Sequence, residues 1–428
     1  MKILIYFIFY FLLFFLTACS QKDSSTSNKG DRKFVSTHPL IGEWKVDLKL
    51  QDQSLPILFR IDDLDTKTKK LSGVLVNSSE RIKLSGHIET SNNNSNHFYI
   101  ELGPSYGVFE GELKLNKIEG VWKRTNKKDF SIPFKGMKSK KQLASSTSLY
   151  KEYESKMNLL DISGKWKVTI DDKNEALGIF KQKGSRVSGS IITSTGDYRF
   201  LDGYINKNEV KLYGFDGAFS FIIKMKVQNE KLSAMMYSGK SYSAIINGVR
   251  DENFRLDDPR LLTKMYQDKT ISFSLKNLAN ETVILNKKTF PGKAKIIQIF
   301  GSWCPNCIDE TSFFLKWRKD NQAKLNHLEF MIVAFENFTE KKDAIKALKK
   351  IKYKMQIDYP ILIGDFKTTK TVTKLFPIEK IKAFPTTLFL DRNHKVINIH
   401  TGFSGQATGE FFEKYKEEFN KLVNEMIK

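Results

Sequence analysis

Short runs of alternating apolar and polar residues, broken by Gly, Asn, Ser and Asp, fill the chain from about residue 40 to 250 and predict antiparallel β structure. Phe98, Ile100 and Leu102 take every second position of one run; Val210 and Leu212 do so in another, followed by Phe219 and Phe221. Strands with one apolar face need a facing sheet or a closed barrel to bury it, so small barrels or sandwiches are expected. The segment also repeats itself. Ile41-Gly42-Glu43-Trp44-Lys45-Val46 and Ile162-Ser163-Gly164-Lys165-Trp166-Lys167-Val168 share Gly-x-Trp-Lys-Val. Leu71-Ser72-Gly73 then parallels Val187-Ser188-Gly189, and Leu84-Ser85-Gly86 parallels Leu201-Asp202-Gly203. Two related all-β modules are predicted, at 37–137 and 159–250, with linkers at 138–158 and 251–268. The first linker has room for a short helix, and the second contains a helical-looking stretch at 260–266. Trp44 and Trp166 read as core plugs of their modules rather than ligand contacts.

From 269 to 428 the pattern changes. Apolar runs at 294–300, 328–335 and 359–363 alternate with helical spacing, first around Phe313, Phe314 and Trp317 and then over 340–354. That order predicts parallel strands covered by helices. Extended pieces at 271–276 and 281–285 precede it. Runs at 384–390 and 396–399 around a turn at 391–394 predict an antiparallel hairpin. Phe412, Tyr415, Phe419, Leu422 and Val423 predict an amphipathic closing helix. The fold class is therefore α/β in the C-terminal segment, preceded by two related all-β modules.

Composition adds a compartment. Residues 1–19 have a basic second residue, an apolar run over 3–16 and then Thr17-Ala18-Cys19, the layout of a secretory signal whose run is too short to span a bilayer comfortably. Residues 20–36 are polar and read as a flexible tether. The net charge of +22 comes from lysines scattered through every segment, not from one basic block interleaved with aromatics, which argues against nucleic-acid binding. A Lys-biased solvated surface explains it, with some attraction to anionic lipid or glycan surfaces.

The candidate chemistry sits in Gly301-Ser302-Trp303-Cys304-Pro305-Asn306-Cys307, directly after the run at 294–300. Cys304 and Cys307 are the only cysteines besides Cys19. A strand that delivers Cys-x-x-Cys to the start of a helix makes the first thiol a candidate low-pKa nucleophile, because exposed backbone N–H groups and the helix dipole favour thiolate. Pro305 suits the first helical turn, where its missing N–H costs nothing. Thiol–disulfide exchange is the expected chemistry, with Cys304 attacking and a more buried Cys307 resolving. A structural zinc site would need two more ligands, and the six histidines are dispersed. Glu310 falls one helical turn beyond Cys307, within reach of a proton-relay role, while the bland alternative is an acid that only complements the helix dipole; Asp309 is the weaker candidate. Pro385, after Phe384, is a candidate cis proline that would hold an extended substrate chain beside Cys304. Trp303, Pro305, Phe384 and Thr386 are the expected substrate-side neighbours, and Trp303 is expected to pack beside the dithiol. Nothing reads as a flavin or nicotinamide site, so no cofactor is expected and electrons must come from another protein.

Several of these strings carry a resemblance. Trp303-Cys304-Pro305-Asn306-Cys307 and Phe384-Pro385-Thr386-Thr387 resemble the Trp-Cys-x-x-Cys and cis-proline loop of TlpA/ResA-type thiol–disulfide oxidoreductases of the thioredoxin superfamily, over about 270–428. The family's helper glutamate falls on Glu310, whereas Gln298 stands where many thioredoxins hold a buried Asp. Leu16-Thr17-Ala18-Cys19 resembles a bacterial lipobox, which makes Cys19 the lipidated residue. Ser20-Gln21-Lys22-Asp23 partly resembles surface-export tags of Bacteroidetes lipoproteins. The whole chain, including Gly196-Asp197-Tyr198-Arg199-Phe200-Leu201 and Phe215-Asp216-Gly217, looks similar to Bacteroidetes lipoproteins with a β-rich extension. Gly-x-Trp near the first strand resembles the opening of lipocalin-like barrels.

The resemblance implies a lipid-anchored disulfide reductase in the cell envelope, facing the periplasm from the outer membrane or exposed at the surface. It also implies disulfide-containing protein substrates and a membrane electron donor of the DsbD or CcdA kind. A disulfide oxidase or isomerase is an alternative. In a further alternative the β modules, with Tyr198, Tyr213 and Phe215, bind glycan, lipid or a client protein and the redox domain is subordinate; they could also be spacers.

Overall fold

The computed structural model describes residues 38–90, 96–127, 129–139, 160–266 and 270–428. The leader, Cys19, the tether and most of the first linker lie outside them.

Eight strands form the first β body: β1 (Gly42–Leu50), β2 (Gln53–Leu64), β3 (Lys70–Asn77), β4 (Glu80–Thr90), β5 (Asn96–Leu102), β6 (Gly107–Lys114), β7 (Lys117–Arg124) and β8 (Ser131–Lys138). Each pairs antiparallel with the next, and β8 returns to β1 with Trp44 opposite Lys138, which closes a barrel. Alternation along β1 buries Trp44, Val46, Leu48 and Leu50 and leaves Lys45, Asp47 and Lys49 outside. Inward-facing aliphatic and aromatic side chains from all eight strands fill the interior.

The second body contains β9 (Gly164–Ile170), β10 (Asn174–Lys183), β11 (Arg186–Thr193), the spur β12 (Gly196–Asp197), β13 (Leu201–Asn206), β14 (Glu209–Phe215), β15 (Ser220–Gln228), β16 (Lys231–Ser238) and β17 (Tyr242–Arg250). Pairing of β9 with both β10 and β17, and of β10 with β11, closes a second ring of eight strands outside which β12 hangs from β11.

The repeat seen in the sequence has a structural counterpart. Trp44 and Trp166 are fully buried, and each indole N–H donates to the carbonyl four residues earlier, Leu40 at 2.8 Å and Ile162 at 3.0 Å. A cation covers each ring, Lys138 at 6.0 Å and Arg250 at 4.7 Å. Gly73 and Gly189 also match in environment: a Cβ would lie 2.0 Å from the Arg60 or Ile179 carbonyl oxygen of the neighbouring strand.

Phe221 shares a face of β15 with Ile223, Met225 and Val227 and packs, half-buried, against the second barrel's core, its ring stacked 6.1 Å from half-buried Phe219, while Ile222 on the opposite face joins the first barrel's core. One reading of this region needs correction. Phe215, offered above as a possible ligand contact, is buried in the first barrel's core, 5.8 Å from Phe109 and 5.1 Å from Trp122. The Trp122 indole N–H donates to Gly217 O at 3.1 Å, so the turn after β14 joins the two barrels.

The C-terminal body is a seven-stranded sheet built from β18 (Phe273–Asn277), β19 (Thr282–Leu285), β20 (Ala294–Phe300), β21 (Leu328–Phe335), β22 (Ile361–Asp365), β23 (Thr386–Leu390) and β24 (Val396–Thr401), in the order β19-β18-β22-β21-β20-β23-β24. The central trio β20, β21 and β22 is parallel and the flanks are antiparallel. Every residue of β20 is buried because both faces are covered. Ile296 and Phe300 pack with α1 (Pro305–Asp320), α2 (Lys341–Met355) and α4 (Glu410–Met426), while Ile297 and Ile299 pack toward α3 (Val372–Leu375). Residues 260–266 are not helical. Met265 bridges Ile378, and Tyr266 N–H donates to Pro377 O at 3.0 Å, so tertiary pairing overrides the local helical spacing. Phe313 on α1 is half-buried rather than core, meeting Tyr415 at 5.3 Å and Phe419 at 5.1 Å edge-on.

Candidate active site

The apolar strand β20 ends at Phe300, and the turn Gly301-Ser302-Trp303 presents Cys304 as the N-cap of α1, with Pro305 in the first turn. The Cys304 sulfur accepts the Cys307 backbone N–H at 3.2 Å, so it terminates one of the unpaired N–H groups of the helix. Its S–H donates to Phe384 O at 3.3 Å, and the Phe384–Pro385 peptide bond is cis. Thr386 follows at the start of β23, opposite Ile299 of β20; its hydroxyl donates to Ala383 O at 2.8 Å. Trp303 packs beside the pair, its ring 5.2 Å from Phe384 and its indole N–H on Phe335 O at 3.0 Å. Cys304 keeps 5% of its surface exposed and Cys307 none. Burial pushes the Cys307 thiol well above its ordinary value, and the adjoining Cys304 sulfur adds to that.

Behind Cys307 lies a closed polar cluster around Glu310. The Glu310 carboxylate is fully buried and accepts from Gln298 Nε2 at 2.9 Å, Thr387 Oγ1 at 2.8 Å and Tyr415 OH at 3.0 Å. This is an interior acid, not a surface residue that complements the dipole. Burial pushes its pKa up to about 7, against the pull of the three donors. Gln298 ties the acid to the dithiol because the same Nε2 donates to Cys307 O at 3.2 Å, while its carbonyl accepts from Thr311. A carboxyl with a pKa near 7 beside a resolving thiol suits transfer of that thiol's proton. Resolution of a mixed disulfide on Cys304 is expected to quicken as pH rises through about 7, where Glu310 ionises and can accept the proton. Glu310→Gln should remove that rise and slow the step by about 100-fold. Its release rate from pH 5 to 9 checks this, and an unchanged profile would remove Glu310 from the proton path.

The β bodies contribute residues that sequence reasoning missed. Tyr106, from the turn between β5 and β6, hydrogen-bonds Ser302, two positions before Cys304. Ser302 in turn donates through its hydroxyl to Glu336 and through its N–H to Glu336 Oε1 at 2.8 Å. Burial raises the Glu336 pKa to about 7. A carboxylate immediately after the fully apolar end of β21 was the one available signal for it. From the second barrel, Arg199 contacts Glu80 of the first barrel, Asp216 at 3.5 Å and Asp309 of α1 at 3.1 Å. Burial opposes the Arg199 charge, but these acids and Asp197 override it and hold the guanidinium above its usual range. Asp197 also accepts the Gly405 N–H at 2.6 Å. Gly196, at φ 144°, lies against Asn306 between the two cysteines, where a Cβ would come within 1.8 Å of Asn306 Nδ2. A cleft of about 1150 Å³ opens beside this contact and is lined by both barrels together with Trp303, Cys304, Pro305, Asn306 and Phe384.

A mixed sheet covered by helices, a Cys-x-x-Cys capping the helix after the central strand and a cis proline alongside define a thioredoxin-like domain. Residues 266–414 match the Redoxin family, so the C-terminal body is a Redoxin domain. No curated protein matches the chain. Among solved structures, the chain is similar to a thiol-disulfide oxidoreductase from Bacteroides fragilis, at 16% identity over 34% of this chain and 99% of that one, TM-score 0.27. It is also similar to a thioredoxin-like protein from Porphyromonas gingivalis, at 21% identity over 38% and 95%, TM-score 0.28. A thiol:disulfide interchange protein of the thioredoxin family from Chlorobium tepidum matches at 18% identity over 38% and 100%, TM-score 0.28.

Proposed function

We propose that this chain is a lipid-anchored, extracytoplasmic thiol–disulfide oxidoreductase that works as a protein disulfide reductase through Cys304 and Cys307. The observation that carries the reading is the setting of the Cys304 sulfur, which caps α1 by accepting the Cys307 N–H and lies 3.3 Å from Phe384 O beside cis-Pro385. In the reduced protein the Cys304 thiolate attacks one sulfur of a substrate disulfide. A bond forms between Cys304 and that sulfur as the other sulfur leaves as a thiolate. Cys307, giving its proton to Glu310, then attacks Cys304 and expels the first substrate sulfur. The substrate gains two electrons and the protein is left with a Cys304–Cys307 disulfide. Return to the dithiol takes two electrons and two protons from a partner dithiol, for which a membrane conduit of the DsbD or CcdA kind is the fitting class.

The direction is tested by equilibrating the purified chain with glutathione. A reduction potential in the range of thioredoxin supports a reductase, and one as high as that of strong oxidants, near about −120 mV, overturns it. Anchoring at Cys19 rests on the leader sequence. Cys19→Ala should move the protein from the membrane to the soluble fraction, and retention on the membrane would mean another anchor.

A further inference from the structure

We propose that the cleft beside Cys304 is a substrate groove in which Arg124 recognises a carboxylate side chain on an extended polypeptide disulfide. The inference rests on the dithiol reading above and adds a substrate preference to it. Arg124 ends β7 of the first barrel, is nine-tenths buried and lines the same cleft as Cys304. Its guanidinium lies over two rings, 5.1 Å from the centre of Phe219 and 5.7 Å from that of Phe130. Among the described residues its Nε has no hydrogen-bond partner. Asp216 is near enough to attract this cation, but no carboxylate among the described residues hydrogen-bonds it and burial still holds it below its usual range, so an anionic ligand would supply the missing charge-assisted bond.

Among the described residues four acids line the cleft, and all but Asp257 are engaged with other residues. Asp216 accepts the Ala218 and Phe219 N–H groups and pairs with Arg199; Asp197 accepts the Arg199 and Gly405 N–H groups; Glu175 pairs with Lys167 at 2.6 Å. Lys127 and Lys173, also on the lining, add positive charge.

The form of the ligand follows from the shape of the site. Gly196 sits on Asn306, and Cys304 shows only 5% of its surface, so the convex face of a folded protein has little room to approach its sulfur. The cleft, at about 1150 Å³, exceeds the roughly 300–1,000 Å³ of a small-molecule site. A chain segment in extended form fits a groove of this size. Trp122, Tyr198, Phe219 and Phe221 give its side chains aromatic walls.

The test uses the reduced full chain and short peptides whose single cysteine is held as a mixed disulfide with neutral 2-thiopyridine. Attack by Cys304 forms a disulfide with the peptide and releases pyridine-2-thione, which is followed by absorbance, and Cys307 then frees the peptide thiol. One Asp is moved through the positions flanking the cysteine, each peptide having an Asn twin. At the best position the native chain should react about tenfold faster in kcat/KM with Asp than with Asn, the effect of one bond to a charged group. Arg124→Gln should bring that ratio to about one, and Arg124→Lys should keep part of it. No Asp preference at any position, or a preference that survives Arg124→Gln, overturns the proposal. So does a result in which Arg124→Gln alters the reaction of carboxylate-bearing cystine relative to cystamine while leaving the peptide ratio untouched. The ratios of the native chain and of Arg124→Lys decide the matter even where Arg124→Gln folds poorly. Failure of every peptide, Asn twins included, would instead remove the dithiol reading itself.

Discussion

Serine in place of Cys304 should bring reduction of insulin disulfides to the uncatalysed background, a loss on the order of a thousandfold or more. The other parts of the site cannot stand in for it. Cys307 is without exposed surface, its thiol is held protonated by burial, and the cleft reaches Cys304 rather than Cys307. A serine hydroxyl at the helix cap can still accept the Cys307 N–H, so the fold should survive while the nucleophile is gone. Cys307→Ser should act differently: attack at Cys304 still proceeds, but nothing expels the substrate, and a mixed disulfide accumulates. Turnover assays, with non-reducing gels and mass spectrometry to identify the adduct, distinguish the two outcomes. Wild-type turnover in both variants would leave the proposed exchange without its reacting atoms.

Replacement of Arg199 should have the largest effect on stability of any single change considered. Arg199→Met removes the cation that Glu80, Asp216 and Asp309 share and leaves their carboxylates close together in a half-dry setting. Removing one partner from a buried ion pair costs about 3–5 kcal/mol, because the remaining charge stays without compensation. The three acids come from the two barrels and from α1, so the loss should fall on the joint between them. A lower urea midpoint, with faster alkylation of Cys304 by neutral iodoacetamide, is the expected pair of results. A stability change within about 0.5 kcal/mol, the usual range for a surface substitution, would mean that the cluster contributes little.

What could be seen in the sequence was what is local. A strand buried on both faces is a continuous apolar run, so β20 and β21 stood out, and α4 followed from the spacing of Tyr415, Phe419 and Val423. Alternation showed β modules but not their closure, because sandwich and barrel strands alternate alike. What separates them is the return of β8 to β1 and of β17 to β9, which no local pattern encodes. The same division runs through the site. Cys304, Pro305 and Cys307 lie in one short motif and Phe384, Pro385 and Thr386 in another, and the structure brings the two motifs together. Tyr106 and Ser302 stand 196 positions apart, and Arg199 and Glu80 stand 119 apart, so neither contact leaves a mark in the neighbouring sequence. Arg124 was hidden for another reason: a basic residue at a strand end ordinarily reads as solvated surface.

The hydrogen bond from Tyr106 to Ser302 makes the front half of the polypeptide a party to the chemistry of the back half. Cut away near residue 266, the redox domain would have the Ser302–Glu336 pair unroofed, with water taking the place of a phenol beside an acid that titrates near neutrality. Rates and potentials recorded on such a fragment would describe a dithiol whose neighbouring Ser302–Glu336 pair has lost its Tyr106 cover.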